Sequence, residues 1–218
     1  MALPVLVMGR SGSGKTYSLK QFDPSEIGVI AVEKNRLSFP SQIKVVKVPQ
    51  YDKNPKVNSM AQAFVAKYAW IMNIIEKSEV RVIVIDDSQY LLAQELMARG
   101  KEKGYEKFTD IASNFWRLIH FVNELEDENK IVYFLHHSEE DASGREKTKT
   151  VGKMLEEKLV IEGCFDIVLY CQDHKFYTQS NGQSTAKTPE GMFSEIEIPN
   201  DLKAVDTAIR EYYGMGGG

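Results

Sequence analysis

A chain of 218 residues, 43% apolar and 27% charged, has the length and balance of one globular α/β domain. Its net charge of −4 excludes a general attraction to nucleic acid, so any such binding requires a local basic patch. No apolar run reaches the ~20 residues that span a bilayer, and the first apolar stretch stops at Gly9-Arg10, so neither a membrane anchor nor a signal peptide is expected.

In chain order, Leu3 to Met8 reads as a buried strand running into Gly9-Arg10-Ser11-Gly12-Ser13-Gly14-Lys15-Thr16. That stretch fits G-x-x-x-x-G-K-[ST], a loop that binds the phosphates of nucleoside triphosphates. Glycines allow the tight turn and let backbone N–H groups approach phosphate oxygens. Lys15 supplies a positive charge at the β- and γ-phosphates, and the Thr16 hydroxyl a ligand for Mg²⁺. Tyr17 follows directly and is grouped with Gly9 to Thr16 as the nucleotide-binding set. A helix over Thr16 to Gln21 is expected to aim its N-terminus at the same anion.

Phe22 to Ser25 reads as a turn, Ile27 to Val32 as a second buried strand ending at Glu33, and Ile43 to Val48 as a strand near a sheet edge. Pro49 to Asn58 is expected to be a loop. Ser59 caps a helix to about Lys77, with Phe64, Tyr68, Ile71 and Ile75 on one face. Val80 to Ile85 is a central strand that ends at Asp86-Asp87-Ser88. Helices follow over Gln89 to Arg99 and Tyr105 to Glu128, then a strand over Ile131 to Leu135 that ends at His136-His137.

Ser138 to Gly152 reads as a polar loop, Lys153 to Leu159 as a short helix, and Phe165 to Cys171 as a strand. Lys175 to Gln179 and Ser184 to Lys187 predict a hairpin around Asn181-Gly182. A helix over Asp201 to Tyr213 closes a single domain of residues 1–213, and the glycine-rich 214–218 is expected to be a flexible tail. Cys164 and Cys171 form no CxxC pattern and predict buried thiols in a reducing, cytoplasmic setting.

Strands alternating with helices imply a mostly parallel sheet with helices on both faces, and ligands at the carboxyl ends of its strands. The residues ending each strand are therefore the site candidates. Asp86 is expected to hold Mg²⁺, with Asp87 assisting there or orienting water. Glu33 is the candidate to activate the attacking water; the competing reading is a solvated charge. His136, or its neighbour His137, is expected to sense the γ-phosphate, and strand alternation allows only one of them to do so. Arg145, Lys147, Lys149 and Lys153 form the candidate nucleic-acid contact, weighed against a merely solvated loop. Lys187 is a candidate catalytic finger reaching a neighbouring subunit's nucleotide.

With these segments in hand, the chain resembles the RecA-type P-loop ATPase core, and more closely the short phage-encoded proteins described as AAA-domain or RecA-core annealing proteins. Gly9 to Thr16, Val84 to Ser88, Phe134 to Ser138, Lys149 to Leu155 and Ala186 to Phe193 carry the resemblance. It implies binding and hydrolysis of ATP with Mg²⁺, action on single-stranded DNA in phage recombination or replication, and head-to-tail assembly into a ring or filament. A single-strand-binding protein is a further implied partner. Full recombinases carry segments for which this chain has little room, so strand annealing is expected in place of strand exchange. Two rivals remain: an ATP-gated switch or helicase loader, and a nucleotide kinase, whose arginine-rich lid is not apparent among the dispersed arginines.

Overall fold

The computed structural model describes residues 1–34, 36–50 and 59–216. Among them the strands are β1 (Leu3–Gly9), β2 (Ile27–Ala31), β3 (Lys44–Lys47), β4 (Val82–Asp86), β5 (Ile131–Glu140), β6 (Glu146–Thr148), β7 (Ile167–Gln172), β8 (Lys175–Tyr177) and β9 (Glu197–Pro199). The α-helices are α1 (Met60–Lys77), α2 (Gln89–Ala98), α3 (Glu106–Glu124), α4 (Lys153–Glu156) and α5 (Leu202–Tyr213). Strands lie in the order β3-β2-β4-β5-β1-β7-β8-β9, parallel from β3 to β7 and antiparallel beyond, with β6 antiparallel to the far end of β5.

The runs LPVLVM, VIVID and IVYFL carry almost no polar residues because both sheet faces are covered. Alternation divides them. Leu6, Met8, Ile83, Ile85, Val132 and Phe134 pack with α1, α2 and α3, whereas Val5, Val7, Val84, Tyr133 and Leu135 pack with α5. The fold is thus an α/β sheet, mostly parallel, with helices on both faces. Ser59 caps α1 by accepting from Gln62 N. β1 lies between β5 and β7, so the segment after it emerges at the middle of the sheet's carboxyl edge.

Four expectations are corrected. The segment after Thr16 is a five-residue 3-10 helix, Tyr17–Gln21, and not an α-helix; Phe22 is extended and Asp23, standing before Pro24, disfavours a further helical turn. The strand of the two histidines does not end there but continues to Glu140 and pairs with β6, so the expected loop is largely a hairpin. α3 ends at Glu124, four residues early, where Leu125 turns extended. The C-terminal hairpin is present with other partners: β8 folds back on β7 through Asp173-His174 and pairs with β9 on its outer side. Both turn residues have positive φ (48° and 57°), as a two-residue hairpin loop requires. Asn181-Gly182 instead turns the chain so that Ser184 bridges Glu146 and Lys187 bridges Val168. The expected loop of 49–58 falls mostly outside the described residues. Gly214 ends α5 in the left-handed conformation, with Met215 N bonded to Arg210 O.

Candidate functional site

Residues 9–16 leave β1 and curl over its end. Gly12 and Gly14 hold φ of 80° and 111°, which L side chains avoid. Gly9 is required for a different reason. A Cβ there would lie 2.3 Å from Cys171 O and 2.7 Å from Ser13 Oγ. That Ser13 oxygen is buried and has no hydrogen-bond partner among the described residues.

Lys15 is buried, and its ammonium donates to Gly9 O at 2.6 Å and Arg10 O at 2.9 Å. Burial lowers its pKa, partly offset by Cys171, Asp87 and Asp86. Thr16 Oγ1 donates to Asp86 Oδ1 at 3.1 Å. The separation of 70 positions between them is closed by the sheet, since β1 and β4 flank β5. A hydroxyl and a carboxylate in contact are hard oxygen donors that suit Mg²⁺. Together with the glycine turn and the buried lysine, they fit a Mg²⁺–nucleoside triphosphate. Such an ion, when bound, would neutralise phosphate charge; Thr16 and Asp86 would hold it.

A cavity of about 550 Å³ opens beside the loop, lined among others by Lys15, Thr16, Tyr17, Asp86, Asp87, His137 and His174. Asp86 is pushed up to about 6, first by burial and then by the Asp87 charge, against the Thr16 bond. Asp87 has φ of 61° and meets His137 Nε2 at 3.0 Å. Burial works to raise its pKa, but the His137 bond and charge, with Lys34 and Lys15, hold it below the usual range. Lys34 and Arg36 line the cavity as well. They are cations that no motif in the sequence marked.

The other expected site residues lie as follows. His136 faces away from the cavity: it is fully buried, Nε2–H donates to Lys149 O and Nδ1 accepts from Ser88 Oγ, each at 2.9 Å. Burial lowers it to about 4, so the ring is neutral, consistent with that tautomer. Of the two, the structure brings His137, and not His136, to the cavity, as strand alternation requires of one of them. Glu33 does not line the cavity. Its carboxylate accepts from Gln94 Nε2 at 2.6 Å, and Gln94 Oε1 accepts from Lys67. The Arg10 side chain leaves the loop for the β5–β6 hairpin, bonding Glu146 at 2.5 Å and Glu140 at 2.8 Å. Arg145 pairs with Asp141 at 3.6 Å and Lys147 with Glu156, whereas Lys149 and Lys153 are exposed. Lys187 is exposed on the sheet flank, its backbone paired with Val168, outside this cavity. Asn200 and Cys171, which no sequence signal marked, bond the loop carbonyls of Gly14 and Ser13 at 3.1 and 3.3 Å.

A glycine-rich loop between a central parallel strand and a buried lysine, with a threonine hydroxyl on the carboxylate that ends β4, defines a P-loop nucleotide-binding ATPase. Among families, residues 1–192 match the one described as an AAA domain, and the chain belongs to it. A search of curated proteins returns no match. No helix among the described residues is long and apolar enough to cross a membrane.

The two histidines are separable by experiment. His136→Asn is expected to cost about 1–3 kcal/mol in urea denaturation, since it strands buried partners, and to leave ATP affinity unchanged. Lower ATP affinity at unchanged stability would return His136 to the site.

Proposed function

We propose that the chain is an ATP-hydrolysing core that acts on single-stranded DNA, annealing strands in phage recombination or replication as a head-to-tail homo-oligomer. The observation that supports this most is the course of β5. One strand carries His137 beside the phosphate loop and, from Ser138 onward, pairs with the hairpin arm that precedes Lys149 and Lys153. A change at His137 is thereby transmitted along a continuous strand to exposed lysines, which suit a phosphate backbone. Arg145 and Lys147 are matched by acids, so Lys149 and Lys153 carry the proposed contact. Lys187, exposed and outside its own subunit's cavity, is the proposed finger for the neighbouring nucleotide.

Steady-state ATP hydrolysis with and without single-stranded DNA, at two salt concentrations, tests this. DNA should stimulate hydrolysis, and less so at the higher salt. Replacing Lys149 and Lys153 together by alanine should remove the stimulation, and Lys187→Ala should remove it while ATP still binds. One observation favours a second reading, an ATP-gated switch for a protein partner: the Glu33 carboxylate is engaged with Gln94 and outside the cavity. Tight ATP binding with negligible turnover and no response to DNA would select it.

A further inference from the structure

The cavity beside the phosphate loop has a chemically mixed lining. Asp86, Asp87 and His137 contribute to it, and Tyr17 and His174 add two rings beside Lys34, Arg36 and Ser38. Tyr17 is 40% exposed. The His174 ring meets it edge to face at 5.7 Å, and the buried Phe39 does so at 6.1 Å. His174 sits in left-handed backbone, φ 57°, a conformation that His, like Asn and Asp, adopts more readily than most side chains. The turn that carries it is fastened to the loop it faces, His174 N donating to Ser13 O at 3.0 Å. The approach is close: a Cβ on Gly14 would lie 2.8 Å from His174 Nδ1. An exposed ring held against the phosphate loop contributes little to the core, so its placement calls for another explanation.

We propose that Tyr17 and His174 form the nucleobase end of the site, so that the base of a nucleoside triphosphate rests on their rings while its phosphates lie over the loop. This rests on reading the cavity as a triphosphate site. Direction follows from the metal donors. Thr16 and Asp86 mark the end taken by the β- and γ-phosphates, so the nucleoside extends the other way, towards Tyr17. Aromatic rings bind any base through its π face, and a purine, with the larger face, better than a pyrimidine.

Calorimetric titration of the full chain with ATP and with inorganic tripolyphosphate, both with Mg²⁺, tests the assignment. His174→Asn keeps a residue that tolerates the left-handed turn, and Tyr17→Leu keeps an apolar contact for Phe39. Each variant should weaken ATP about tenfold and leave tripolyphosphate binding unchanged. Unchanged ATP affinity in both variants would overturn the proposal. So would parallel loss of both ligands, which would make the turn a prop for the loop alone. If the unaltered chain binds tripolyphosphate as tightly as ATP, the base takes no part and the proposal falls while the triphosphate reading stands. If it binds neither, that reading falls too.

Discussion

Lys15→Ala is expected to lower ATP hydrolysis about a thousandfold, the range seen when a charged donor is removed from a phosphoryl-transfer site. The structure adds a second expectation. The Lys15 ammonium is buried against two loop carbonyls, and burial lowers its pKa, so in the nucleotide-free chain this cation is held at a desolvation cost. Removing it should therefore leave thermal stability nearly unchanged, within about 1 kcal/mol, because the lost bonds and the relieved desolvation offset each other. The measurement is a melting curve beside a turnover assay. A large fall in melting temperature would mean that the lysine props the loop, and its loss of activity could then not be assigned to phosphate.

Asp86→Asn should separate activity from stability in opposite directions. The carboxyl is pushed up to about 6, whereas an unfolded aspartate titrates near 3.8. The folded chain therefore binds this proton more tightly than the unfolded one. Stability from this group is full below about pH 4 and is lost as pH rises through about 6, a difference of up to ~3 kcal/mol. With the charge removed, the nucleotide-free protein should be more stable at pH 7 by about 2 kcal/mol, and its pH dependence between 4 and 6 should flatten. Hydrolysis should fall at least about a hundredfold. Urea unfolding from pH 4 to 7.5, beside an ATPase assay, checks both; a destabilised variant at pH 7 would overturn the account. In the unaltered protein, Mg²⁺ must compete with this proton, so its apparent affinity should fall about tenfold per pH unit below 6.

The core of the site was legible because its signals are local. Gly9 to Thr16 carries its own backbone requirements, and four apolar residues leading into Asp86 announce a buried strand with an acid at its end. Strand alternation limited the two histidines to one site residue but could not say which, because the choice depends on the register of β5 against β1, with Met8 opposite His136 and Gly9 opposite His137. Glu33 was read from its position at a strand end, yet the direction of its carboxylate is set by Gln94 on α2, 61 residues away. The β7–β8 turn was missed because Asp173-His174 lacks the Asn-Gly pair that usually marks positive φ, while the pair at Asn181-Gly182 drew the hairpin to itself. His174, Cys171 and Asn200 reach the loop only through tertiary pairing, so nothing in their own neighbourhoods betrays them.

That remote bracing bears on how the chain comes off the ribosome. The loop is built from residues 9–16, yet Ser13 and Gly14 are tied down by Cys171, His174 and Asn200, all made more than 150 residues later. β1 itself must wait for β5 and β7 on its two sides, contacts of long sequence separation that form slowly. A nucleotide present during synthesis thus meets a finished cradle only after Asn200 has emerged. Until β5 is made, the nascent β1 is an apolar segment with neither edge paired, the kind of surface on which chaperones act.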